Sequence, residues 1–341
     1  NTIFAGPKMS ANDTNYVNCV FIEGCGVKKV GPVDCIFTNC LCVSSAANDT
    51  YAGGALWMRY GTIERCRFFE CAASNATGAV WGGGTAGRDG TQTVRNCLFE
   101  RCWTYSGASA VPSGAGEIGA TGGAGSWYYN GTISLSNCVY ISCTSICATA
   151  AHAYGGAIDT GSSAAVRNCF VTNCFSSGKS GGINSGAQSG CTVVACRAAT
   201  VSASRSIGSN CLFANNEATG DSTCTGTDCL GCVFRDNKTQ ANNTSGGAVY
   251  LNSDAATVSG CVFSNNCAYV GDNGPTYDYG GGEAVYLVKG RVEKCLFVRN
   301  GEEDVCYTLV HKTKGGIVKK GSGSWTLGGN FDVGGKVSVE N

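Results

Sequence analysis

Histidine is nearly missing from this chain. Two residues in 341, His152 and His311, stand against 24 cysteines, too few imidazoles for zinc centres of mixed Cys/His type. No apolar run approaches the roughly 18 residues of a membrane-spanning helix. Neither sign of charge is in excess: 24 Lys and Arg balance 24 Asp and Glu, which removes any general attraction to nucleic acid or to an anionic lipid surface. No segment of useful length carries the 3.6-residue period of an amphipathic helix. Polysaccharide cleavage would need paired carboxylates or a calcium-binding Asp cluster, but Asp159, Asp221, Asp228, Asp236, Asp254, Asp272 and Asp278 are scattered. Adjacent Asp pairs, Gly-His-Gly and the calcium-binding Gly-Gly-x-Gly-x-Asp repeat are absent from the sequence. Glu302-Glu303-Asp304 reads as a solvated turn. These absences point away from an enzyme, and no cofactor or metal site is expected.

What is present is repetition. An apolar residue, Cys, an aromatic residue and then Asn or Cys recur at fixed offsets, as in Val258–Asn266, VSGCVFSNN. The motif cysteines are Cys19, Cys35, Cys66, Cys97, Cys138, Cys169, Cys191, Cys211, Cys232, Cys261 and Cys295. Their spacings run from 16 to 41 residues, and the shortest regular spacings, 20 to 22, mark the minimal unit. Upstream of many copies lies a Gly-Gly motif: Gly53-Gly54-Ala55-Leu56, Gly155-Gly156-Ala157-Ile158, Gly181-Gly182-Ile183, Gly246-Gly247-Ala248-Val249 and Gly281-Gly282-Glu283-Ala284-Val285. Each unit therefore reads as a Gly-Gly turn, a short strand, a turn, a Cys/Phe strand, an Asn/Cys turn and a variable loop.

A sandwich or barrel also has short strands, but it does not return the same residue type to the same turn. Stacked coils do, because equivalent residues of neighbouring strands lie about 4.8 Å apart. The expected fold is all-β: a right-handed, single-stranded parallel β-helix of about 11 coils with inserted loops. Residues 1–16 are expected to form a leading cap segment, 17–306 the β-helix, and 307–341 a terminal cap or polymerisation segment. Phe21, Phe37, Phe99, Phe213, Phe234, Phe263 and Phe297 should stack inside, and Asn216, Asn237, Asn266 and Asn300 should form an Asn ladder at a turn. Asn there is expected to tolerate the left-handed conformation and to bond the backbone and the next Asn. Residues 103–137 look like the largest inserted loop, carrying Trp103, Trp127, Tyr128 and Tyr129. Exposed aromatics would suit sugar or protein contact, although packing back onto the coils is the favoured expectation.

Two motifs together, Gly-Gly-Ala-[Ile/Val/Leu] and Phe-x-x-Asn, resemble the repeats of the chlamydial polymorphic membrane proteins and related bacterial surface β-helices. The matching stretches are Gly54–Leu56, Gly156–Ile158 and Gly247–Val249, with Phe213–Asn216, Phe234–Asn237, Phe263–Asn266 and Phe297–Asn300. The tail, KKGSGSWTLGGN, resembles the start of an autotransporter-associated β-strand repeat. The resemblance implies a secreted passenger of an autotransporter or adhesin. The chain departs from it in one respect: six of the first seven units carry Cys five residues after the motif Cys, where later units carry Asn.

Twenty-four cysteines argue for an oxidising, extracellular or cell-surface location, and the chain, which begins at Asn, reads as the mature segment of a longer secreted precursor. The motif cysteines are expected to pack inside as small apolar residues. Twelve of the thirteen others are the better disulfide candidates: Cys40, Cys42, Cys71, Cys102, Cys143, Cys147, Cys174, Cys196, Cys224, Cys229, Cys267 and Cys306. Their connectivity cannot be read from spacing. Cys224-x4-Cys229-x2-Cys232 followed by Cys261 matches a ferredoxin-type spacing, but Cys232 and Cys261 are already successive members of the repeat. Candidate glycosylation sequons lie at Asn12, Asn48, Asn75, Asn130, Asn242 and Asn243, all expected in loops. The functional expectation is a non-enzymatic extracellular structural protein, an adhesin or stalk. Its partners would be a cell-surface protein, a glycan, or further copies of itself stacked head to tail in a filament; a polysaccharide lyase or hydrolase is the remaining alternative. Neither nucleic-acid binding nor membrane insertion of this segment is expected.

Overall fold

The computed structural model describes residues 2–5, 19–22, 27–28, 31–44, 54–58, 60–75, 80–107, 121–149, 153–160, 164–184, 186–204, 208–220, 222–226, 228–240, 246–269, 284–298, 300, 317–320 and 337–340. The described residues are strands and turns, with parallel pairing throughout. The fold is a parallel β-helix. The chain divides into two compact units, Asn1–Ala187 and Gln188–Asn341.

In the first unit, one sheet is built from the Cys/Phe strands. Thr2–Ala5, Cys19–Ile22, Ile36–Thr38, Arg67–Phe69, Leu98–Glu100, Val139–Ile141 and Phe170–Thr172 lie side by side in that order, each parallel to the next. Thr2–Ala5 pairs along its length with Cys19–Ile22, Phe4 opposite Phe21. A second sheet carries the strands led by the Gly-Gly motif, including Leu56–Met58, Thr85–Arg95, Ser126–Ser136 and Ile158–Thr160. A third holds Leu41–Ser44, Ala72–Asn75, Trp103–Ser106, Thr144–Cys147 and Phe175–Ser176.

The second unit repeats the plan. Its Cys/Phe sheet is Thr192–Val194, Leu212–Ala214, Val233–Arg235, Val262–Ser264 and Leu296–Val298. Ile317–Lys320 pairs in parallel with Val337–Glu340.

Of residues 103–137, expected as an inserted loop, 108–120 lie outside the described residues and the rest are strands and turns of the stack. Trp103–Ser106 and Ser126–Ser136 are regular strands in register with their neighbours. The glycine-led start of this coil, Gly122-Gly123-Ala124-Gly125, is followed by Ser and Trp instead of an aliphatic residue, which disguised it.

Where the flanking residues are described, a sharp corner lies on each side of a Cys/Phe strand, and each is made by one residue with a left-handed backbone. In the first unit these are Asp34 and Asn39, Arg65 and Glu70, Asn96 and Arg101, Asn137 and Ser142, Asn168 and Asn173; in the second they include Asn210 and Asn215, Gly231 and Asp236, Gly260 and Asn265. Asn, Asp and Gly dominate because they tolerate this conformation best. The left-handed residue is the one before each Cys or ladder Asn. Expecting the ladder Asn residues themselves to be left-handed was one position off.

At the third bend, glycine is needed for two reasons visible in one motif. Gly155 has φ of +53°, and a Cβ on Gly156 would sit 2.1 Å from the Gly181 carbonyl oxygen. The first is a conformational requirement, the second a close approach of successive coils.

Inside, aromatic rings stack along each unit's axis. Phe37, Phe68, Phe99 and Tyr140 follow one another at centroid spacings of 4.7, 4.6 and 4.6 Å with planes within 5° of parallel. Phe213, Phe234 and Phe263 stack at 5.1 and 4.8 Å, with planes 15° and 4° apart. The strand spacing sets the ring spacing, and it falls within the range of offset stacking. All seven rings are fully buried. Phe21 is in register with Phe37, and Phe297 with Phe263.

Candidate functional site

The residues singled out from the sequence fall into an internal scaffold and an outer face. The scaffold holds most of them. The motif cysteines Cys35, Cys66, Cys97, Cys138 and Cys169 follow the first corner in the first unit, and Cys191, Cys211, Cys232, Cys261 and Cys295 follow it in the second; all are buried. Cys19 opens the strand Cys19–Ile22.

These thiols do more than fill space. Cys66 donates to the Pro32 carbonyl at 3.3 Å, Cys97 to Ile63 at 3.8 Å and Cys138 to Val94 at 3.7 Å. Some also accept: the Cys211 N–H points at Cys232 Sγ, 3.4 Å away, and the Cys232 N–H at Cys261 Sγ, 3.3 Å away. A corner leaves backbone groups aimed inward, and a buried group without a partner costs free energy. Sulfur, a weak donor and a weak acceptor, supplies both roles in a small volume.

The second corner is filled by Cys40, Cys71, Cys102, Cys143 and Cys174 in the first unit. In the second it is filled by Cys196, then Asn216, Asn237, Asn266 and Asn300. The two side chains satisfy the same carbonyl. Cys71 Sγ donates to Phe37 O, Cys102 to Phe68 O and Cys143 to Phe99 O, at 3.5 to 3.7 Å. Asn216 Nδ2 donates to Val193 O, Asn237 to Phe213 O and Asn266 to Phe234 O, at 2.9 to 3.1 Å. Each Asn Oδ1 also accepts the backbone N–H of the preceding rung: Cys196 to Asn216, Asn216 to Asn237, Asn237 to Asn266 and Asn266 to Asn300. Asn-to-Asn bonds of 2.9 to 3.0 Å complete the ladder.

The other disulfide candidates are spread over two sheets. Cys42, Cys147 and Cys267 lie on the third sheet, whereas Cys224 and Cys229 lie on the glycine-led one. Cys42 and Cys267 are half-buried. Burial pushes the thiols of Cys71, Cys102, Cys143, Cys224 and Cys229 above their ordinary range. Among the described residues no group of three or more His, Cys, Asp or Glu is arranged to hold a metal ion, and no helix is long and apolar enough to cross a membrane.

Two sequons do not sit in loops. Asn75 is fully buried in strand Ala72–Asn75, where the fold leaves no room for a glycan, and Asn130 lies within strand Ser126–Ser136. Ala72–Asn75 escaped notice because its side chains are small and give no strand-like alternation. Asn12, Asn48, Asn242, Asn243, His152, His311 and Cys306 lie outside the described residues.

The aromatics of the supposed insertion separate into two groups. Trp127 and Tyr128 are buried. Tyr128 donates to Thr85 Oγ1 at 2.9 Å, Thr85 to Ser126 Oγ at 3.2 Å, and Ser126 bonds Tyr140 at 2.9 Å. That hydroxyl chain explains why the aromatic stack can end in Tyr. Trp103 and Tyr105 face outward instead.

They belong to the third sheet of the first unit, where side chains alternate in and out. One outward row runs Leu41, Ala72, Trp103, Thr144, Phe175; the next runs Val43, Ser74, Tyr105, Ile146. Leu41, Val43, Trp103, Tyr105, Ile146 and Phe175 are each 38 to 69% exposed. A groove of about 450 Å³ is lined by Trp103, Tyr105 and Ile146 of these, together with Arg101, Thr104, Ser142 and Thr144. Arg101 is held by Glu70 at 2.9 Å and Glu100 at 2.6 Å. Single exposed apolar residues are ordinary on a protein surface, whereas a contiguous apolar face marks a contact site. The alternation Trp103-Thr104-Tyr105 after Cys102 was the available sequence signal.

Asp159 is buried and accepts a bond from Asn184 at 2.6 Å, and Asp236 accepts one from exposed Asn265 at 3.1 Å. No protein-family model, curated protein or solved structure matches this chain.

Proposed function

We propose that this is a non-enzymatic, extracellular β-helical protein of a cell surface, an adhesin or stalk whose contact face is the outward apolar face of the first unit. The observation that carries the reading is the groove at Trp103, Tyr105 and Ile146, set on rigid strands rather than on loops. Aromatic rings backed by a few hydroxyls and a guanidinium suit a carbohydrate chain, which has apolar C–H faces and a polar perimeter. Trp103 and Tyr105 stand two residues apart on one strand, roughly 6.6 Å, which sets two ring faces along one sugar chain.

The likeness of the repeats to bacterial surface passengers and the cysteine content support the extracellular placement. The pairing of Asp159 with Asn184 supports a structural rather than a catalytic role for that carboxylate.

Glycan-array screening of the full chain tests the reading. Binding to a defined set of oligosaccharides, reduced at least about tenfold by Trp103→Ala or Tyr105→Ala, is expected; truncation of a central aromatic anchor costs this much or more. Absence of glycan binding, or binding indifferent to both substitutions, contradicts it.

A further inference from the structure

The position three residues before the first-corner Cys is Pro32, Ile63, Val94, Leu135 and Val166 in the first unit, and Gln188, Gly208, Cys229, Val258 and Val292 in the second; the aliphatic ones are buried. Cys229 is also fully buried, paired across the sheet with Val258. Its sulfur lies 3.5 Å from that of Cys261, the corner cysteine of the next coil. Cys261 Sγ is also 3.3 Å from the Cys229 carbonyl oxygen. The backbone of this coil is fixed on both sides, by Leu230 N–H to Gly208 O at 3.0 Å and Gly231 N–H to Ser259 O at 2.9 Å.

We propose that Cys229 and Cys261 are a disulfide-forming pair that staples these two successive coils. The sulfurs of adjacent rungs lie 3.5 Å apart, and a bond of about 2.05 Å requires that distance to close. The thiolate of one cysteine attacks the sulfur of an external disulfide, such as oxidised glutathione or a disulfide-carrying oxidoreductase, and releases one thiol. The second cysteine then attacks the mixed disulfide and releases the other. Two protons and two electrons leave the pair, and one external S–S bond becomes two thiols. Burial raises the Cys229 thiol above its ordinary range, so the exchange belongs to folding or to a transient opening of these coils. Val258 fills the facing position with a branched aliphatic, and Cys is the residue that adds a cross-link. The inference is independent of the glycan-binding face.

The test is peptide mapping of the full chain, folded in a mixture of oxidised and reduced glutathione, then alkylated and digested without reduction. The expected product is a cross-linked peptide pair joining Cys229 to Cys261. In Cys229→Val, which places there the residue of the facing strand, Val258, Cys261 is expected to be recovered alkylated. Reduction should lower the wild-type melting temperature by several degrees more than that of the variant. Recovery of Cys229 and Cys261 as separate alkylated peptides from the folded wild type, or of Cys229 bridged to another cysteine, overturns the proposal.

Discussion

Asn237 shows what a single rung does. Its amide accepts the Asn216 N–H, donates to the Phe213 carbonyl and bonds Asn266. Asn237→Ala strands at least two buried backbone groups, each worth about 1 to 3 kcal/mol. A loss of about 2 to 4 kcal/mol in chemical denaturation is therefore expected. Asn237→Cys should lose less than Ala, because Cys71 and Cys102 already reach the equivalent carbonyl. Equal losses for Ala and Cys would refute the interchange of the two residues at this corner.

The thiols also set a pH dependence. Burial raises Cys71, Cys102 and Cys143 in the folded state, whereas an unfolded cysteine ionises near pH 8.5. Below that pH both states hold the proton and stability is flat on this account. Above it the unfolded chain releases protons that the folded chain keeps, so stability falls as pH rises. Denaturation midpoints measured from pH 7 to 10 should be level and then decline, and an unchanged midpoint at pH 10 would contradict the burial of these thiols.

At the scale of the strand and its corners, the left-handed residue decides what is tolerated. Ala195 and Lys294 adopt φ near +55° and +53°, a conformation that costs an L-residue roughly 1 kcal/mol or more. Ala195→Gly should be neutral or stabilising by up to about 1 kcal/mol, since removal of that strain competes with the added entropy of the unfolded chain. At Asn265, φ +52°, a change to Val should cost about 1 to 2 kcal/mol by the same argument. Calorimetry of the two variants checks the signs; stabilisation by Val at 265 would mean that the corner is not left-handed.

The sequence disclosed this scale unevenly. The Cys/Phe strands were legible because one large ring returns at a fixed offset from one Cys, and the Phe37, Phe68, Phe99 stack needs that regularity. Strands such as Ala72–Asn75 were not, since small residues on both faces give no alternation. The corners were half legible: the column of Cys and Asn was visible, but the left-handed residue beside it varies from Asn to Arg to Ala.

For the molecule as a whole, what repeats forms the scaffold, and what varies carries the contact face proposed above. The cysteines and asparagines, which dominate the motif, point inward and satisfy backbone groups at corners. Their chemistry is spent on the fold. The outward rows are free to differ between coils, and in the first unit they become Trp103, Tyr105, Ile146 and Phe175. Sequence periodicity could not single these out, because an outward position is under no packing constraint and carries no repeat. The most direct measurement is a paired one on Trp103→Ala/Tyr105→Ala: the melting temperature of the full chain, and its affinity for the oligosaccharide that wild type binds. The account predicts a melting temperature within about 2 °C of wild type, as expected for half-exposed side chains, together with an affinity at least about tenfold weaker. Unchanged affinity, or a melting temperature reduced as much as by loss of a buried Phe, would contradict it.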